Sequence, residues 1–240
     1  MGEQQKPLNV DARILVVSDM RAGTTWLTEM FKDNVRAAHK EITHEGFRGG
    51  LVRRLHVWET DGTHISVGHD GPIIDELYRR FPDLRVAFCF RDPVDHIISL
   101  LSTYHGGTGG SGAGNALVGA SWHWGAQEQA IRTVDRLGIK ATYWHFDYFT
   151  TLEGFCEMAT TLDLPLKEEP TTSTHKNASD PNKRMHREEW PVITEALVRE
   201  YHSNFERLSV EYDKAKAYAD DRLAQLKGMQ SRAKPRIMDR

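Results

Sequence analysis

The sequence predicts an α/β fold of three layers, with a mainly parallel sheet flanked by helices. Three observations predict it. Short apolar runs recur at Ile14–Val17, Ile65–Gly68, Arg85–Phe90 and Ala141–Phe146. The first three lead through a turn into apolar residues at helical spacing. The runs are nearly unbroken rather than alternating, as expected of strands covered on both faces.

Residues 1–12 are polar and read as a flexible N-terminal segment. Ile14–Val17 is the first strand, and Trp26, Leu27, Met30 and Phe31 follow at helical spacing. Residues 36–62 read as polar and irregular, with Gly46, Gly49 and Gly50. Ile65–Gly68 is a short strand. Pro72 then opens a helix whose apolar face is Ile73, Ile74, Leu77, Tyr78 and Phe81. Arg85–Phe90 reads as a central strand. Asp92 is placed as an N-cap with Pro93 in the first helical turn, and Val94, Ile97, Ile98, Leu101 and Tyr104 continue that helix.

Residues 106–114 hold six glycines in nine positions, so a loop is expected there, either a solvated linker or a gate over a pocket. A helix follows near Ser121–Leu137, then the strand Ala141–Phe146, then a helix marked by Phe155, Met158, Ala159 and Leu162. Pro170 to Arg187 reads as a polar loop. Pro191 begins a long helical pattern with Ile193, Leu197, Tyr201, Phe205 and Leu208 on one face. These elements divide into a main domain over 13–213 and a C-terminal helix with a basic, solvated tail over 214–240.

The 240 residues suit one domain with a core that needs no staples. Charge is nearly balanced, 31 Lys and Arg against 34 Asp and Glu, so nothing points to nucleic acid. Both cysteines, Cys89 and Cys156, fall in apolar patterns and read as small core residues. The twelve histidines show no metal-ligand spacing, so no metal is expected. No apolar run approaches about 18 residues, so no membrane span is expected.

The most informative stretch is Ser18-Asp19-Met20-Arg21-Ala22-Gly23-Thr24-Thr25-Trp26. A strand, a glycine-containing turn and a helix start make a phosphate cradle, because free N–H groups and the positive helix end converge. The spacing is that of a P-loop, but Ser18 stands for its first Gly and Thr24 for its Lys. The loop therefore suits phosphate without suiting a nucleoside triphosphate.

Arg21 to Trp26 resembles the [KR]-[SA]-G-[ST]-[ST]-[WF] loop of sulfotransferases that use 3′-phosphoadenosine 5′-phosphosulfate (PAPS). Phe88-Cys89-Phe90-Arg91-Asp92-Pro93-Val94-Asp95, continuing to Ser99, resembles that family's strand, R-[DN]-P-x-[DE], helix, Ser element. Asp147-Tyr148-Phe149 resembles its yEdL element, with Asp147 in place of Glu. The resemblance covers Arg13 to Leu164. It implies the P-loop NTPase-like sulfotransferase fold and transfer of a sulfuryl group from PAPS to a hydroxyl or amine. The acceptor is expected to be a small molecule, because the short chain leaves little room for a polymer groove. With no anchor in view, the expected location is cytoplasmic.

The resemblance also implies roles. Arg21, the N–H groups of Ala22, Gly23, Thr24 and Thr25, and the two Thr hydroxyls would hold the 5′-phosphosulfate. Arg91 and Ser99 match the 3′-phosphate ligands. Trp26 matches an aromatic that flanks adenine, though a Trp there also suits a core. Lys183 and Arg184 are further candidates for the 3′-phosphate. His69, just after the second strand, is the leading general base, with Asp70 its rival and His44 or Glu45 further choices. Trp58, Tyr104, His105, Trp122 and Trp124 suit an acceptor pocket or core packing equally. Two other readings stand: a small-molecule kinase with a degenerate P-loop, and a protein that binds the product 3′,5′-bisphosphate (PAP) without catalysis.

Overall fold

The computed structural model describes residues 14–18, 26–27, 40–41, 56–60, 63–67, 71–104, 110–163 and 194–233. Six strands form one sheet: β1 (Ile14–Ser18), β2 (Lys40–Glu41), β3 (His56–Thr60), β4 (Thr63–Val67), β5 (Arg85–Phe90) and β6 (Ala141–His145). Their spatial order is β2-β3-β4-β1-β5-β6. β4, β1, β5 and β6 run parallel, while β3 pairs antiparallel with both β2 and β4. The helices are α1 (Gly71–Arg80), α2 (Pro93–Tyr104), α3 (Gly110–Leu137), α4 (Phe146–Phe149), α5 (Leu152–Thr161), α6 (Glu195–Ser203) and α7 (Glu206–Ala233).

All five residues of β1 are buried, which is why its sequence is an unbroken apolar run. Alternate residues feed two cores, because successive side chains point to opposite faces. Leu15, Val17, Val86, Phe88 and Phe90 pack with Ile74 and Leu77 of α1, Val94 and Ile97 of α2, and Trp124 and Ile131 of α3. Ile14, Val16, Ala87 and Cys89 pack on the other face with Leu27, Tyr148, Phe155 and Met158. α7 packs along β6 and contributes to both cores, through Leu208 and Ala215 on one and Ala219 on the other. It runs unbroken through residues 213 and 214. Among the described residues, no helix is long and apolar enough to cross a membrane.

Three expectations are corrected. Residues 36–62 are not wholly irregular, since β2 and β3 lie within them. Thr60 pairs with Thr63, leaving Asp61-Gly62 between β3 and β4, a dipeptide that favours two-residue hairpins. The glycine-rich stretch is helical from Gly110, so α3 starts eleven residues before Ser121. Each helical glycine costs about 1 kcal/mol against alanine, more than propagation returns, so the helix is held by its packing on α1 and α2 rather than by local propensity. α3 closes at Gly138, whose φ of +66° is the left-handed geometry of a helix end.

The long helix expected from Pro191 is two helices, broken at Asn204 and Phe205. Val198 and His202 face inward, while Leu197 and Tyr201 are exposed. The break has a cause in α3. Glu128 Oε2 accepts the Leu208 N–H at 2.6 Å, replacing the carbonyl of Asn204 that an unbroken helix would use.

Candidate functional site

Four parallel strands end on one edge of the sheet, at Ser18, Val67, Phe90 and His145. β1 lies between β4 and β5, with Val16 opposite Val67 and Ser18 opposite Cys89. The chains leaving β1 and β5 go to opposite faces: Leu27 joins one core, Val94 and Ile97 the other. Adjacent parallel strands whose connections part in this way leave a crevice at their carboxyl ends, where α/β proteins bind ligands.

Of the residues singled out by sequence, Arg91, Ser99, Trp26 and Trp124 lie within the described residues, as does the backbone of Trp58, Tyr104 and Trp122. Arg21, Ala22, Gly23, Thr24, Thr25, His69, Asp70, Lys183 and Arg184 lie outside them, as do His44, Glu45 and His105. The strands that precede the first two groups are described. Ser18 comes three positions before Arg21, and Val67 two before His69. Ser18 is 2% exposed, and its hydroxyl has no hydrogen-bond partner among the described residues.

Arg91 follows β5 directly and is half-buried. Its guanidinium carbon lies over the Phe146 ring, 5.0 Å from the centroid, a cation–π arrangement. Phe146 is held because Phe90 pairs with His145 across β5 and β6. The rings continue as a row: Phe146 meets Phe149 edge-on at 5.6 Å, and Phe149 meets Trp26 at 6.3 Å. Trp26 also packs edge-on against Phe155 at 5.8 Å. Thus Arg91 and Trp26, remote in sequence, stand at the two ends of one aromatic row. Ser99 is buried on α2, about 9 Å along the helix from Pro93 at 1.5 Å per residue.

Asp92 caps α2 as its sequence predicts. Its Oδ1 accepts from the N–H groups of Val94 at 2.9 Å and Asp95 at 3.2 Å. Its Oδ2 accepts from Arg199 Nη2 at 3.0 Å and the Tyr212 hydroxyl at 3.4 Å. Burial pushes the carboxyl upward, but the Asp95 N–H, Arg199 and the Val94 N–H together hold it below the ordinary value.

Sequence reasoning missed three residues here: Phe146, His145 and Arg199. His145 is fully buried at the end of β6 and caps α4, with Nδ1 accepting the Asp147 N–H at 3.3 Å. That bond makes Nε2 the protonated nitrogen, and Nε2 is buried without a hydrogen-bond partner among the described residues. Burial lowers its pKa against the opposing charge of Asp147. The signal available for His145 and Phe146 was their place at a strand–helix junction. Trp124, a candidate for acceptor stacking, is a core residue instead, 1% exposed and in edge contact with His202 at 5.0 Å.

No protein-family model matches the sequence, and no curated protein matches it. Among solved structures, the fold is similar to a sulfotransferase domain from the curacin biosynthetic pathway, at 12% identity and a TM-score of 0.43. The match covers 84% of this chain and 98% of that one. The likeness is too loose to carry residue roles.

Proposed function

We propose that this protein is a sulfotransferase that moves a sulfuryl group from PAPS to a hydroxyl or amine of a small-molecule acceptor. One observation carries the reading: β1 and β5 are parallel neighbours, with Ser18 opposite Cys89. The sequence element resembling the 5′-phosphosulfate loop and the one resembling the 3′-phosphate element therefore both start from one crevice. A nucleotide with anionic groups at its 5′ and 3′ positions needs two such elements within one ribose of each other.

A half-buried guanidinium at Arg91 and a buried hydroxyl at Ser99, on the helix that follows it, suit a phosphate, while the first N–H groups of that helix are already taken by Asp92. Arg91 and Ser99 bind the 3′-phosphate, with Lys183 and Arg184 adding charge. Trp26 flanks the adenine. Arg21, the N–H groups of residues 22–25 and the hydroxyls of Thr24 and Thr25 stabilise charge on the departing 5′-phosphate oxygen. His69 follows β4, the neighbour of β1 opposite β5, and takes the acceptor proton, with Asp70 as the rival base. PAPS supplies the sulfuryl group and leaves as the bisphosphate.

Transfer of label from PAPS to a panel of acceptors tests the reading. Arg91→Ala raises the PAPS KM about 10- to 100-fold, the equivalent of one charge-assisted contact. His69→Ala abolishes turnover and leaves bisphosphate affinity intact. An unchanged KM in Arg91→Ala sinks the cofactor assignment, and retained turnover in His69→Ala passes the base to Asp70. Tighter binding of ATP than of the bisphosphate favours the kinase. Bisphosphate binding with no label transferred favours the non-catalytic protein.

A further inference from the structure

Asp92 places a carboxylate one residue from the guanidinium that the proposed function commits to a phosphate. Uncompensated, it repels an incoming phosphate and competes for Arg91. Both of its oxygens are engaged elsewhere. Oδ1 is used by the N–H groups of Val94 and Asp95 at the start of α2. Oδ2 is taken by Arg199 of α6 and Tyr212 of α7, at 3.0 and 3.4 Å, from positions 107 and 120 residues away in sequence. The Asp92 side chain is 18% exposed and that of Arg199 48%, so the pair is closed at the acid and open to water at the base.

We propose that Arg199 is a positioning residue for the 3′-phosphate site: it neutralises Asp92 and ties that carboxylate to α6, which keeps Asp92 from competing with the ligand for Arg91. The inference rests on the reading of Arg91 as a 3′-phosphate ligand. Arg199 acts through Asp92 and does not itself touch the nucleotide. Two supports then fix Arg91 from different sides, Phe146 under the guanidinium and the Asp92–Arg199 pair beside its backbone. Tyr212 steadies the same oxygen and is itself held by ring contacts with His145 at 5.6 Å and His202 at 5.2 Å.

The test is a double-mutant cycle read by titration calorimetry. The ligands are adenosine 3′,5′-bisphosphate and adenosine 5′-monophosphate, which lacks the 3′ group. The variants are Arg91→Ala, Arg199→Ala, Asp92→Asn and the Asp92→Asn/Arg199→Ala double; Asn retains the capping function at position 92. Arg199→Ala is expected to weaken the bisphosphate about three- to tenfold, the scale of coupling through a residue off the ligand. The monophosphate affinity stays unchanged, Arg199→Lys recovers part of the loss, and the effect of Arg199→Ala disappears once Asp92 is Asn.

If Arg91→Ala weakens the bisphosphate and Arg199→Ala does not, the inference is overturned while the proposed function stands. If Arg91→Ala changes nothing, the 3′-phosphate reading fails and takes the inference with it. Equal weakening of both ligands, or an Arg199→Ala effect undiminished by Asp92→Asn, also overturns the neutralising role. Should Arg199→Ala not fold, Arg199→Lys and Tyr212→Phe complete the cycle with smaller expected losses.

Discussion

At the scale of single residues, the interior near Asp92 is rich in histidine. His202 is buried between Trp124 and Tyr212, and burial pulls its pKa from the usual 6.5 down to about 4, against the raising charge of Asp92. The unfolded chain takes up this proton near pH 6.5, whereas the folded chain resists until about pH 4. Stability therefore falls as pH drops through that window, by on the order of 3 kcal/mol from this group alone at about 1.4 kcal/mol per unit. Urea unfolding followed between pH 7 and pH 4 is expected to show the slope, and His202→Gln to remove this share of it. A variant with the wild-type slope would assign the effect elsewhere. None of this was legible in the chain, where His202 reads as one more polar residue beside Tyr201. The places of Arg91 at a strand end and Ser99 on the following helix were legible because an N-cap and a proline punctuate that stretch, while the roles proposed for them come from the resemblance. Arg199 was not, because its meaning comes from a carboxylate 107 positions earlier.

At the scale of elements, the start of α7 depends on a side chain from α3. Glu128 takes the Leu208 N–H at 2.6 Å and is itself paired with Arg132 at 2.6 Å. Glu128→Ala leaves that N–H buried and unmet, so it is expected to cost about 2–3 kcal/mol of unfolding free energy. Glu128→Gln keeps an acceptor and costs less than half as much, and Arg132→Ala, an exposed partner, costs under about 0.5 kcal/mol. Equal losses for Glu128→Ala and Arg132→Ala in denaturant midpoints would refute the capping role. The same contact explains why one apolar pattern became two helices: periodicity reports which face is buried, not where a distant carboxylate resets the hydrogen bonding. β1, β5 and α2 were legible because burial on two faces leaves an unbroken apolar run before Arg91-Asp92-Pro93. β3 was not, since His56-Val57-Trp58-Glu59-Thr60 mixes polar and apolar residues, although the Asp61-Gly62 dipeptide after it in sequence was a usable signal.

At the scale of the whole molecule, Cys89 has a use beyond filling space. It sits at the centre of the parallel strands, opposite Ser18 on one side and Trp144 on the other, with no exposed surface. Burial raises its thiol pKa far above the usual range, and it forms no disulfide, so the native thiol is inert rather than absent. A labelling reagent reaches it when the sheet itself opens. In a Cys156→Ser background the labelling rate becomes a clock for that opening. The nucleotide of the proposed function, bound across the ends of β1 and β5, would hold those strands together, and at a hundred times its dissociation constant it would stabilise the native state by about 2.7 kcal/mol. Labelling of Cys89 is then expected to slow about a hundredfold with adenosine 3′,5′-bisphosphate, and an unslowed clock would mean that no such ligand binds. One buried sulfur thereby tests the proposed nucleotide binding by chemistry at a distance, with no acceptor molecule in the tube.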